Sequence, residues 1–376
     1  MRFLHLSDLH LGKRVNEFSM LEDQAYILKE ILNIIDEQKV EAVLIAGDIY
    51  DKVIPSAEAV RLLDDFLTRI AARELPVFLI SGNHDSPERV SYGGRLMKKS
   101  GIYGAPVYEG KTEKVEFTDA YGKVCIHLLP FVKPSMVKQV VGTDENGNNL
   151  SYNETLHRLI GRENINQDER NVLVSHQFYL PVGKKVEEIE RMDSEIRTVG
   201  NIDEVSADVL EIFDYAALGH IHKPMKLGNE NWRYCGTPLA CSVSEAQQQK
   251  GIIMIEMGVK GEVETTVLPL YPLHQVRVIK GELEEILAEK SQDYVTVILT
   301  DKKDLDVIDM QERIRLAFPN LLEIRRENQR KADYARVLKS ETLMNPYELC
   351  CSFLKNMDEK EKEILQDVIH TVQGVK

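Results

Sequence analysis

Five short apolar runs are each followed at once by side chains with metal-ligand chemistry: Asp8-x-His10, Gly47-Asp48, Gly82-Asn83-His84-Asp85, His176 and Gly219-His220-x-His222. Continuous runs such as Val43-Leu44-Ile45-Ala46 and Val77-Phe78-Leu79-Ile80 read as strands covered on both faces. The ends of neighbouring strands lie close in space even when they are far apart in sequence. The pattern therefore predicts a sheet architecture that gathers these side chains in one place. Oxygen and imidazole donors with no cysteine among them suit a pair of divalent metals.

Between the runs, Leu21, Ala25, Leu28, Ile31, Leu32 and Ile35 fall at helical spacing, so Met20–Gln38 is predicted to be a helix. Glu22 and Asp23 near its start suit the helix dipole. Pro55-Ser56 opens a second helix with Ala59, Leu63, Phe66 and Ile70 on one face. Strand and helix thus alternate through Asp85, the α/β pattern in which sites gather at the carboxyl ends of strands. Further strands are predicted at Val124–Leu129, Val172–Ser175, Tyr215–Leu218, Ile252–Met257 and Glu264–Leu270, and Lys184–Arg197 reads as a charged surface loop. Composition shifts after Leu270, where Pro269 and Pro272 bracket a linker. A strand at Tyr294–Leu299, a helix at Val307–Ala317 and a strand at Leu321–Arg326 make a small α+β unit. From Asn345 onward the chain reads as a charged helix whose apolar face (Leu349, Phe353, Leu354) is too small to fold alone. The expected division is 1–270, 271–340 and 341–376.

The net charge of −14 has the wrong sign for a chain that grips nucleic acid unaided. A DNA substrate would require help from bound metals, local basic loops or a partner. Five cysteines without CxxC spacing argue against a disulfide framework or a structural zinc, and fit a reducing cytoplasm. No apolar run approaches a membrane span, and Asp8 and His10 arrive too early for a signal peptide.

Several pieces carry weight by position. Gly47 lets the backbone turn so that Asp48 faces inward. Asn83 at the end of a buried strand implies a task for its amide oxygen. His220-x-His222 places two imidazoles in register for adjacent metals. His176 alone reads as a core histidine, yet it follows a buried strand and supplies the ligand still missing. Lys13, Lys52 and Arg89 lie beside the motifs as candidate phosphate contacts, although solvated charge explains them equally well. Arg325, Arg326, Arg330 and Lys331 form a basic cluster of the same ambiguity.

The series of motifs resembles the calcineurin-like metallophosphoesterase pattern. The segments Gly47-Asp48-Ile49-Tyr50-Asp51, His84-Asp85-Ser86-Pro87-Glu88-Arg89, Asp214 through Pro224 and Ser242-Val243-Ser244-Glu245-Ala246 are similar to the SbcD family of bacterial nuclease subunits. Tyr234-Cys235-Gly236-Thr237-Pro238 departs from the serine-rich version expected there, outside the ligand set. The resemblance implies a β-sandwich flanked by helices, with a small α+β cap over 271–340 and a helical carboxyl-terminal tail. It assigns Asp8, His10 and His222 to one metal, Asn83, His176 and His220 to the other, and Asp48 to both. His84 would contact the scissile phosphate and protonate or stabilise the departing oxygen, with Asp85 holding its ring. The family favours manganese among the metals such donors accept.

It further implies 3′-to-5′ exonuclease action on duplex ends and endonuclease action at hairpins or single strands, in DNA repair, recombination and replication. The expected partners are DNA, a second copy of the chain and an SbcC-type coiled-coil ATPase in a cytoplasmic heterotetramer, with the tail docked on the ATPase. Phosphoprotein phosphatases resemble Gly-Asp-x-x-Asp-Arg-Gly and Gly-Asn-His-Glu, but here Asp51 is followed by Lys52-Val53 and the second motif ends in Asp85. Purple-acid types place a tyrosine where Asp51 stands. A cyclic-nucleotide or other small-molecule phosphodiesterase on the same fold remains the rival, though it would not need the residues appended after Leu270. A scaffold that has lost its chemistry is disfavoured, because every ligand position and His84 holds a usable side chain.

Overall fold

The computed structural model describes the chain apart from 184–191, 194, 196–202, 302–306, 328–349 and most positions after Cys350. Residues Met1–Arg325 form one compact unit, and Arg326–Lys376 cluster separately. The expected helix from Asn345, together with Arg330 and Lys331, falls largely or wholly outside the described residues.

Two six-stranded sheets dominate the first unit. One runs in the order Val263–Pro269, Gly251–Met257, Arg2–Leu6, Ala42–Ala46, Val77–Ile80, Ile102–Ala105. The other runs Met225–Leu227, Asn229–Tyr234, Tyr215–Leu218, Arg170–Ser175, Gly122–Leu129, Glu113–Asp119. Their facing sides share a core that includes Phe3, Leu44 and Phe78 from the first sheet and Ile126, Val172 and Ala217 from the second. The outer face of the first sheet packs Leu4, Val43 and Ile45 against Ile31, Phe66 and Ile70 of the helices Leu21–Glu37 and Ala57–Ala71. The outer face of the second packs Leu173, Ala216 and Leu218 against Val137, Leu156 and Leu159 of the helices Pro134–Val141 and Tyr152–Gly161. The central strands are therefore covered on both faces, which is why they read as unbroken apolar runs.

All five motif-bearing strands lie in parallel blocks. Arg2–Leu6, Ala42–Ala46 and Val77–Ile80 pair in parallel in one sheet, as do Arg170–Ser175 and Tyr215–Leu218 in the other. Within each sheet their carboxyl ends point the same way, and the motifs emerge side by side.

A third, three-stranded sheet (Val276–Gly281, Tyr294–Leu299, Leu321–Arg326) carries its own core of Ile279, Val295, Val297, Ile314 and Phe318. It is tied to the body at Asp23. That carboxylate accepts the His274 backbone N–H at 2.9 Å and the Tyr294 hydroxyl at 2.9 Å. Asp23 lies in the first turn of the helix Leu21–Glu37, as expected, and it is buried there. The stretch Lys184–Arg197 is not uniformly a surface loop, because Met192 and Glu195 are buried among its described residues. The strands Glu113–Asp119, Asn229–Tyr234 and Val276–Gly281 were not predicted. Polar sequences such as Glu113-Lys114-Val115-Glu116-Phe117 alternate at a sheet edge, where only one face meets the core.

Candidate metal centre

The loops that leave the strand ends are tightly bound to one another. The Asp8 N–H donates to the Gly47 carbonyl and the His10 N–H to the Asp48 carbonyl, both at 3.0 Å. From the helix Leu21–Glu37, the Gln24 side chain donates to the His10 carbonyl at 2.7 Å and accepts the Gly12 N–H at 2.9 Å. Asp8, His10, Asp48 and His220 adopt φ values of +51°, +43°, +48° and +103°. Such conformations cost non-glycine residues on the order of 1–3 kcal/mol each, and their clustering marks a site that the surrounding fold over-determines. Glycine is required at two close approaches. A Cβ at Gly47 would lie 2.5 Å from His176 Nδ1, and one at Gly219 would lie 2.0 Å from the Ala46 carbonyl oxygen.

These constraints bring seven predicted donors together. His10 Nε2 and His222 Nε2 are 3.1 Å apart, and the donors of Asp8, His10 and His222 all lie within 4.8 Å of one another. Asn83 Oδ1 lies 3.0 Å from His176 Nε2 and 2.9 Å from His220 Nδ1. Asp48 Oδ2 lies between the two groups, 3.7 Å from His10 Nε2 and 3.4 Å from His176 Nε2. Asp8, His10, Asp48, His176, His220 and His222 are all buried.

Buried carboxylates and imidazoles at this density are costly unless paired or bound to a cation. Burial lowers the His10 pKa well below the usual histidine range, which preserves a lone pair at neutral pH. Burial alone would raise the Asp48 carboxyl, but the charge and hydrogen bond of His176 outweigh it and hold Asp48 well below the carboxylate range. Burial opposes charge on His176 too, yet Asp48 raises its pKa to about 9. Two imidazole Nε2 atoms facing each other at 3.1 Å, beside buried anionic oxygen, form a donor set that a divalent cation fits.

His84 and Asp85 take different places from those expected. The His84 ring is partly exposed and its Nε2 lies 3.9 Å from Asp48 Oδ2. Its Nδ1 is held by the Asp51 backbone carbonyl at 3.0 Å, not by Asp85. The Asp85 carboxylate accepts backbone N–H groups from Ile49, Tyr50 and Gly82 at 3.0, 2.9 and 2.9 Å. It fastens the Asp48 loop to the His84 loop. Burial and the charge of Asp48 raise its pKa to about 6, against those three amides. Lys13 is also diverted, since its ammonium pairs with Asp51 Oδ1 at 2.8 Å. Lys52 and Arg89 are exposed.

Sequence reading missed Gln24, Asp51, Glu195, Glu245 and Lys250. Glu195 accepts the His222 N–H at 3.0 Å, and the Lys250 ammonium donates to the His222 carbonyl at 3.1 Å. The departing segment at Tyr234–Pro238 takes part as well, because the Thr237 hydroxyl donates to Glu245 at 3.1 Å. Gln24 gave a visible signal, because it shares the buried face of its helix with Ile27, Leu28, Ile31 and Ile35.

Residues 1–224 match the family model for calcineurin-like phosphoesterase. Residues 272–358 match that for the type 5 capsule protein repressor C-terminal domain. The chain is 29% identical over 330 residues to the SbcD component of the nuclease SbcCD from Staphylococcus epidermidis, covering 86% of this chain and 84% of that protein. Matches among solved structures include a dimetal phosphatase from Danio rerio, at 16% identity over 71% of this chain and 98% of that one, with a TM-score of 0.40. TT1561 of Thermus thermophilus matches at 13% identity over 73% of this chain and 99% of that one, with a TM-score of 0.39.

Proposed function

The chain belongs to the calcineurin-like phosphoesterase family, and from that premise we propose that it is a two-metal, manganese-dependent DNA nuclease subunit. The observation that carries this reading is the convergence of seven donor side chains beside the partly exposed ring of His84. Asp8, His10 and His222 would hold one ion, Asn83, His176 and His220 the other, and Asp48 both. Bound there, divalent ions supply Lewis acidity that activates water and offsets charge on phosphoryl oxygens.

The remaining work falls to the protein. The Asp51 carbonyl fixes the proton of His84 on Nδ1 and turns Nε2 toward the site. When Nε2 is also protonated, the ring can donate to the oxygen leaving phosphorus. Asp85 and Gln24 keep the loops from spreading as substrate binds. Exposed Lys52 and Arg89 are the proposed phosphate contacts.

DNA as substrate is supported by the likeness to a nuclease subunit over most of the chain. The reading includes 3′-to-5′ exonuclease and hairpin or single-strand endonuclease action, in repair, recombination and replication. It also includes a homodimer, an SbcC-type coiled-coil ATPase partner and a cytoplasmic location. The net charge of −14 favours a partner that shares the DNA grip. The proposed division is a nuclease body over 1–270, a DNA-facing cap over 271–340 and a partner-binding segment over 341–376. The test is degradation of linear duplex DNA with manganese, with and without the ATPase. His84→Ala should keep its metals and lose roughly 10²- to 10⁴-fold in rate. Absence of nuclease activity under both conditions overturns the proposal.

A further inference from the structure

His222 is gripped by a buried ion pair that the phosphoesterase chemistry does not itself use. Glu245 is fully buried and Lys250 is 5% exposed, and their charged groups meet at 2.6 Å. An ammonium has three protons to place. Lys250 directs them to Glu245 Oε2, to the backbone carbonyl of His222 at 3.1 Å and to Gln248 Oε1 at 2.8 Å. The other oxygen of Glu245 faces His222 Nδ1 at 3.5 Å and accepts the Ser242 hydroxyl at 3.1 Å. One residue is therefore held at two points, the ring by the carboxylate and the main chain by the ammonium.

Stability does not account for this arrangement. Desolvating two charges costs several kcal/mol per ion, and well-packed apolar replacements of such pairs are often neutral or stabilising. The geometry has a narrower target. A carboxylate beside Nδ1 keeps the proton there and leaves Nε2 as a lone pair, aimed at the point shared with His10 Nε2, 3.1 Å away. On the other side of the centre the corresponding acceptor is neutral, since His176 Nδ1 bonds the Ala46 carbonyl at 2.7 Å.

The geometry points to Glu245 and Lys250 as positioning residues that fix the tautomer and aim of His222, and so strengthen divalent-cation binding at the Asp8–His10–His222 site. This rests on the two-metal reading above. The test is calorimetric titration of the metal-free full chain with manganese chloride, alongside thermal melting. Glu245→Gln should weaken one of two manganese sites by about 10- to 100-fold and leave the other unmoved. The double variant Glu245→Gln/Lys250→Met removes both charges at similar volume. It should melt at or above the single variant and still bind one manganese weakly.

A merely structural pair gives the opposite result, with affinity returning as stability returns, and that result overturns the inference. Parental affinity at both sites in a folded Glu245→Gln protein overturns it too. Should Glu245→Gln fail to fold, Thr237→Val removes only one hydroxyl from the carboxylate. It should weaken the same site by a few-fold, and an unchanged isotherm there would reject the proposal. A parent chain that binds no manganese defeats the two-metal reading instead, before any variant is compared.

Discussion

The two halves of the centre are held by different forces. Around His222 and His10, side chains do the holding, through Glu195, Glu245, Lys250 and Gln24. Around His176, backbone does it, while the His220 N–H is taken by the Asp8 carboxylate at 3.0 Å. The Ala46 carbonyl takes His176 Nδ1, and Gly47 and Gly219 admit the ring at distances no side chain would allow. Charged side chains bear on the first half, where Gly236 also passes close enough that a Cβ would lie 2.6 Å from the His222 carbonyl oxygen. Close backbone approach dominates the second. The strongest test of that contrast is Gly219→Ala, which forces a methyl group to 2.0 Å from a backbone oxygen and 2.7 Å from His176 Nδ1. Neither atom is the end of a flexible chain, so the loss should be about 3 kcal/mol or more in urea unfolding of the metal-free protein. Gly161→Ala, with open space around its Cβ, should be neutral or slightly stabilising. Equal effects at the two positions would end the distinction.

The same contrast separates what the sequence disclosed from what it hid. Val43–Ala46 and Val77–Ile80 were legible because burial on both faces leaves only apolar residues. The donors were legible because Asp48, Asn83 and His176 follow such runs directly. Lys250, Glu245 and Asp23 were not, since each looks like an ordinary surface charge until the fold brings its partner close. For Asp23 that partner is Tyr294, 271 residues away in the sequence. Asp85 was misread for a related reason. Its neighbour in sequence is His84, but its bonding partners are three backbone amides that sequence does not display. The left-handed backbone at Asp8, His10 and Asp48 likewise has no signature in residue type.

The strand that ends at His176 sharpens the comparison, because its other end is held by charge. Arg170, buried at the start of Arg170–Ser175, pairs with Asp119. Burial would raise the Asp119 carboxyl, but the Arg170 hydrogen bond, the Tyr121 amide and the amino terminus outweigh it and lower the pKa from 3.8 to about 2. A depressed folded pKa contributes stability that is present above the unfolded value and lost as pH falls through the folded one. Solvent reaches Asp119 and screens the pair, so the contribution is on the order of 1 kcal/mol at neutral pH. Asp119→Asn should forfeit it at pH 7, and the gap from the parent should close between pH 4 and pH 2. A gap that persists at pH 2 would mean that packing, not charge, holds this end.

Gln24→Met makes the smallest and most selective change. The side chain is buried, and it bonds the loop that carries His10 through one donor and one acceptor. Methionine keeps the volume and removes both bonds, so unfolding should cost about 1 kcal/mol less, with up to about 3 if the freed backbone groups stay dry. Because the loop belongs to the side-chain-held half, manganese should bind more weakly at one site only. The Gly219→Ala variant should disturb the opposite site. If Gln24→Met weakened both sites equally, the two halves would be one mechanical unit, and the difference in how their rings are held would have no bearing on binding.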